Sequence, residues 1–215
     1  MLFFGASLGM AKITVINGLA QAMQVRIDET TLELGPLEHR TVELAGEGRH
    51  HVVTRTADGA AVEEFDSDAG AHGAHFVYNI GGAAPLVEWT AVYGSRAEVP
   101  ERKLGTPRWT SSSADYIFEQ PPKQISSKGE GGTRTVLMGY AELSPVYQLE
   151  LIAGEEAQAQ IAALHARWDR GDSRHIGTWL AIAGKRSDFA ELLAERLRRV
   201  PDDVMTLRAE QDAAQ

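Results

Sequence analysis

Cysteine is absent from the 215-residue chain. That excludes a disulfide framework, thiolate metal sites and a thiol nucleophile, and it leaves the redox compartment open. A basic excess is missing too, because 30 Asp and Glu outnumber 21 Lys and Arg to give a net charge of −9. An acidic chain without a basic stripe is repelled by phosphate backbones, so no nucleic-acid partner is expected. Long apolar runs are also lacking. The uncharged stretch before Lys12 falls far short of the ~20 residues that span a bilayer as a helix, and no positive n-region precedes it as a signal peptide would require. Residues 1–11 read either as a first buried strand or as the stub of a membrane helix. Phe3-Phe4-Gly5-Ala6-Ser7-Leu8-Gly9 suits lipid better than a soluble strand, so the expectation is a membrane-tethering stub.

What is present changes character once, near Gly154. Before it, short apolar-polar alternating runs are punctuated by Asp, Gly and Pro; after it, apolar residues recur every three or four positions. Period two marks strands with one buried face, and period 3.6 marks amphipathic helices. Met23, Val25 and Ile27 alternate with Gln24 and Arg26, and Asp58-Gly59 signals a hairpin between Val53 and Val62. Phe76, Tyr78 and Ile80 share a face, as do Val87, Trp89, Ala91 and Tyr93. Many short strands with tight turns and no helices between them predict an antiparallel β-sandwich over 12–150. The segment 94–135 is looser, with Tyr116-Ile117-Phe118 and Val136-Leu137-Met138 as two further strands among polar loops. Pro121-Pro122 favours an edge position for the first of these.

The remainder, 151–215, predicts an antiparallel helical tail. Glu155 and Glu156 open a helix with stripe Ala157, Ile161, Leu164 and Trp168. Ser173 caps a second with Ile176, Trp179, Leu180 and Ala183 inward. Ser187 caps a third through Phe189, Leu192, Leu193 and Leu197, and Asp202 or Asp203 caps a fourth.

Two resemblances emerge from these residues. Val25-Arg26-Ile27-Asp28, then Leu34-Gly35-Pro36-Leu37, then Val42-Glu43-Leu44 leading through Gly46 and Gly48 to His50-His51-Val52-Val53 resembles PEGA-type and carboxypeptidase-regulatory-like β-sandwich modules across residues 12–66. Asp28 is followed by Glu29 where that family has Gly, and the Pro-Glu-Gly-Ala box is absent. The resemblance implies a non-catalytic module of surface-associated or envelope proteins. Gly184, the pair Phe189-Ala190 and Pro201-Asp202-Asp203 are similar to a tetratricopeptide helical hairpin, with the spacing from Ala190 to Pro201 one residue shorter than that pattern. Such hairpins bury their apolar face only against neighbours.

Candidate chemistry is sparse. Gly5-Ala6-Ser7-Leu8-Gly9 has the form of a nucleophile elbow but lacks the strand before it and the helix after it. His72 and His75 are the best-spaced metal ligands, with His50 and His51 nearby. Adjacent residues on a strand point to opposite faces, however, so only one of His50 and His51 fits a shared site. Glu63-Glu64, Asp66 and Asp68 read as a solvated acidic turn, since a calcium loop needs a closing Glu. Trp109 stands outside any periodic run. The expectation is therefore a non-enzymatic protein-interaction or scaffold module, membrane-proximal or envelope-associated, without metal or other cofactor. Its contacts with a protein partner are expected at Trp109, Trp168, Trp179 and Phe189. The alternative is a carbohydrate-binding module or a small serine hydrolase built on the loops of 94–135, with Ser7 or one of Ser111 to Ser113 beside a histidine. Titrating zinc into chelator-treated protein in a calorimeter should give no stoichiometric heat; one tight site per chain would overturn the metal-free expectation at His72 and His75.

Overall fold

The computed structural model describes residues 10–45, 48–69, 75–94, 97–124 and 132–213. Alternation decides the strands. Along β2 (Met23–Ile27), Met23, Val25 and Ile27 are buried while Gln24 and Arg26 are exposed. A two-residue turn joins β2 to β3 (Thr30–Leu34), with Asp28 in the left-handed region at φ 51°. Short hairpins need that conformation, and Asp tolerates it. β2 also pairs with β5 (Arg49–Thr56), and β5 with β6 (Ala61–Asp68). The result is an antiparallel sheet in the order β3-β2-β5-β6.

A second sheet runs β10-β7-β1-β4, from β10 (Trp109–Ser112), β7 (His75–Asn79), β1 (Met10–Ile16) and β4 (His39–Ala45). Here β1 and β7 are parallel, a departure from wholly antiparallel pairing. The entire first sheet lies between them in sequence, which is the long crossover that a parallel pair needs. A third sheet, β11-β12-β8-β9, contains β11 (Tyr116–Ile117) at one edge, β12 (Thr133–Gly139), β8 (Leu86–Val92) and β9 (Arg102–Gly105). The described residues are thus mainly β, with five α-helices gathered towards the C-terminal end.

Burial explains the sequence pattern of the middle sheet. Ile13, Val15 and Tyr78 share one buried cluster with Val25, Ile27, Leu34 and Val52 of the first sheet. Ile16 and Val77, on the opposite face, are buried with Leu86, Ile117 and Leu137 of the third sheet. Where both sides are covered, at Val15-Ile16 of β1 and Phe76-Val77-Tyr78 of β7, apolar residues stand at successive positions instead of alternating ones.

The helices are α1 (Pro145–Glu150), α2 (Glu155–Trp168), α3 (Ile176–Ala183), α4 (Phe189–Arg199) and α5 (Val204–Ala213). Ser144 and Pro145 start α1 ahead of the boundary expected at 151, and Pro at the first helical position is pre-set for that role. α3 begins at Ile176 and not just after Ser173, because residues 170–176 close two successive turns, Ser173 on Arg170 and Ile176 on Ser173. Asp188 precedes α4 but spends its carboxylate on a two-pronged pair with Arg186, at 2.7 Å on each oxygen. Asp203 caps α5 by accepting the Met205 and Thr206 amides, and its second oxygen takes Arg196 Nε at 2.6 Å. Burial alone would raise the Asp203 carboxyl, but the Arg196 contact outweighs it and the net shift is downward. Removing one partner of so buried a pair strands the other charge.

Two tryptophans divide the work between the layers. Trp179 is 1% exposed and lies in the helical cluster with Ile161, Leu180 and Leu192. Trp168 is 8% exposed and belongs to the cluster between the sheets, with the Arg199 guanidinium 4.3 Å above its ring. The 3₁₀ turn Ile80–Gly82 receives this helix: Leu164 packs beside Gly81, and a Cβ on Gly82 would lie 2.6 Å from the Thr106 carbonyl oxygen. Gly82 is also left-handed at φ 73°, so glycine is required there twice over. No helix among the described residues is long and apolar enough to cross a membrane, and the apolar residues 1–9 lie outside the described range. Replacing Trp168 by Ala should cost ~3–5 kcal/mol in urea unfolding; an unchanged midpoint would show that the helices do not depend on that contact.

Candidate functional site

The junction of helices and sheets concentrates the buried polar groups. Asp169 ends α2 one turn after His165, so the two side chains share a helix face. His165 Nδ1 lies 3.0 Å from Asp169 Oδ2, and Nε2 lies 3.0 Å from the Ala83 carbonyl oxygen. Asp169 Oδ1 accepts the Ala20 amide at 2.8 Å. The imidazole also stacks on Trp179, with 4.4 Å between ring centres and planes 8° apart. Both ring nitrogens are engaged whichever group holds the proton between His165 and Asp169, so no lone pair is free to activate a substrate. The pair ties α2 to residues 20 and 83. Beside it opens a cavity of about 590 Å³ lined by Gly18, Leu37, Gln148, Asp172 and His175 among others.

The adjacent histidines of β5 face opposite ways. His50 is buried, with Nδ1 2.7 Å from Asp28 Oδ2, while His51 stands outside between Asp66 at 2.7 Å and Glu64 at 3.1 Å. Arg49 reaches the other oxygen of Asp66 at 2.7 Å. The hydrogen bond to Asp66 raises the His51 pKa, and the same contact lowers that of Asp66. For Asp28, burial pushes upward, but the bonds from His50 and the His51 amide win and the carboxyl is lowered. His75 is lowered by its own burial and by Lys12, and its Nε2 meets Thr14 Oγ1 at 2.6 Å. His72 and Ser7 lie outside the described residues. Among the described residues, no histidine is hydrogen-bonded to a serine. Ser112 instead accepts the Ala114 amide. No group of three or more His, Asp and Glu is placed to hold a metal ion among those residues.

The acidic run of β6 also splits by face. Glu63 accepts from the Tyr78 hydroxyl and from the Gly81 amide, both at 2.6 Å, while Thr54 Oγ1 lies 2.5 Å from the same hydroxyl. Burial, then the charge of Glu63, pushes the Tyr78 phenol well up, so it stays a donor. Trp109 is half-buried over this chain of bonds, stacked on Phe76 at 5.9 Å and donating Nε1–H to the Asp68 carbonyl at 3.2 Å.

Two further concave surfaces bear on binding. The first is a groove of about 570 Å³ between α3, α4 and α5, lined by Gly177, Ala181, Gly184, Phe189, Met205 and Ala209 among others. The second is a cleft of about 970 Å³ along Trp89–Val92 of β8 and the following Tyr93, walled by residues 98–101 and by Pro121, Pro122 and Lys123. Tyr93 donates its hydroxyl to the Pro122 carbonyl at 2.5 Å, which fixes that wall. Of the four residues expected at a partner surface, Phe189 thus lies in a groove and Trp109 rests half-buried on the sheets. Trp168 and Trp179 are interior. Sequence reading missed the junction of His165 and Asp169, whose signal was an i, i+4 histidine and aspartate at the end of an apolar helix.

No family model matches the chain. No curated protein matches it.

The His51 imidazole should titrate above the usual ~6.5 when followed by NMR, because its charged form is held between two carboxylates. The His51 ion pairs are therefore intact from above the lowered Asp66 pKa up to that raised midpoint, and are lost as pH climbs through it. Asp66→Asn should bring the midpoint down; an unmoved midpoint would show that the contact does not form in solution.

Proposed function

We propose that the chain is a non-enzymatic protein-interaction module, a β-sandwich carrying a tetratricopeptide-like helical pair that receives a protein partner. The sandwich reading rests on the single apolar cluster shared by the first two sheets. Support for the helical reading comes from Gly184 ending α3, Phe189-Ala190 opening α4 and Pro201-Asp202-Asp203 joining α4 to α5.

The observation that carries the function is the groove between α3 and α5. Its walls are small residues, Gly177, Ala181, Gly184 and Ala209, which let another backbone approach closely. Phe189 and Met205 supply an apolar floor, and Lys185, Arg208 and Asp212 form a charged rim. Interface patches have this anatomy, with an apolar centre and a polar border. A binding groove also needs a rigid support, and the packing of Trp168 against the apolar cluster of the first two sheets provides one.

A photocrosslinking residue placed at Ala181 should give a discrete adduct in cells that make the chain, and the same residue at Glu29, on the exposed β2–β3 turn, should give none. Phe189→Ala should cut the Ala181 adduct about tenfold, as loss of an aromatic anchor does. Equal adducts from both positions would count against the groove.

A further inference from the structure

The cleft along β8 is an incomplete sheet. β8 bonds to β12 through its odd-numbered residues, as the Tyr93 amide on Gly132 and the Tyr140 amide on Pro85 establish. The even-numbered residues therefore turn their backbone groups to the other side, where β9 lies. There Glu88 pairs with Arg102, and the ladder stops. The next even residue, Thr90, would in the same register face Pro100, which has no N–H to give. Residues 98–101 accordingly leave the sheet and become the far wall of the cleft. Thr90 and Val92 are left with backbone N–H and C=O groups that meet no backbone partner among the described residues.

We propose that this cleft takes an extended basic peptide segment, which completes the third sheet by pairing with Thr90 and Val92. An alternating row of backbone donors and acceptors is matched by the backbone of another strand, and strand addition of this kind is a general mode of peptide capture. The charge of the walls selects the side chains. Glu98 and Glu101 line one wall, against a single Lys123 on the other. Trp89 and Tyr93, two alternations apart on the same face of β8, border the groove and offer ring faces to the stems and charges of Lys or Arg. A peptide with basic residues at every second position would bring all of them to that face. This site is separate from the groove at Phe189, and the one reading does not depend on the other.

The test uses a short peptide alternating Lys and Val, its counterpart with Glu for Lys, and a copy with alternate backbone amides methylated. In NMR with the whole chain, the Lys peptide should slow hydrogen exchange at the Thr90 and Val92 amides. Binding should fall at least tenfold with the methylated copy and with the Glu98→Lys/Glu101→Lys variant, and that variant should prefer the Glu peptide. Three results would overturn the proposal. One is a peptide that binds without protecting those two amides. Another is protection that appears with protein concentration alone, which would make a second copy the occupant. The last is a neutral oligosaccharide that shifts the Trp89 and Tyr93 rings while the Lys peptide does not bind.

Discussion

A single carboxylate, that of Asp169, holds the two chemistries of this chain together. One of its oxygens takes the Ala20 amide beyond β1, and the other meets His165, whose far nitrogen faces the Ala83 carbonyl after β7. Hydrogen bonds to charged groups contribute about 1.5–3 kcal/mol each when well made, and leaving one end unmet in a dry site costs a similar amount. The junction is therefore either complete or strongly unfavourable. That condition fixes where α2 ends, and with it how Trp168 meets the apolar cluster of the sheets and where Trp179 can stack. Helices packed through apolar contact alone would slide more readily, because such contact is non-directional.

A similar logic operates inside the sheets. Tyr78 is fully buried, yet its hydroxyl is satisfied by Thr54 from the opposite sheet and by Glu63 from the sheet edge. Glu63 in turn holds the Gly81 amide, at the start of the turn on which Leu164 packs. Polar contacts thus pass from the first sheet, through the second, to the seat of α2. An apolar core would tolerate small shifts between these layers, whereas a satisfied polar chain accepts one arrangement. His50 and His51 belong to this structural class as well. His50 fastens the Asp28 turn, and His51 gathers Asp66, Glu64 and, through Asp66, Arg49 on the outer face.

Patterns of period two and 3.6 made the strands and helices legible, and Met23, Val25 and Ile27 sit inside as their alternation implies. What escaped the sequence was everything decided by three-dimensional partners. Val87, Trp89 and Tyr93 read as one more strand of the main body, whereas β8 pairs with β12 in a third sheet. Nothing local distinguishes those two pairings, because strand partners are chosen by register and burial over long separations. The apolar continuity of Phe76-Val77-Tyr78 did carry the information that both faces of β7 are covered. The parallel pairing of β1 with β7 carries no local signature either. The junction was hidden for another reason: His165 and Asp169 have i, i+4 spacing that on most helices marks an exposed pair. Only the placement of Ala20 and Ala83 turns it inward.

The open surfaces follow from the same geometry. β9 stops short of Thr90, where the continued register would bring Pro100 and no N–H, and the neighbouring wall is held in place by Tyr93 on Pro122. Were residues 98–101 merely loose, they would fold back onto β8 and satisfy its backbone, since unpaired groups favour any available partner. Pro100 removes the backbone donor at the position where pairing would resume, so residues 98–101 bring no N–H there to the Thr90 carbonyl. The groove at Phe189 is likewise fixed by composition: Gly177, Ala181 and Gly184 leave space that larger side chains would fill. Both concavities therefore persist without a ligand. Binding there would avoid the ordering cost that a surface formed only on contact would have to meet.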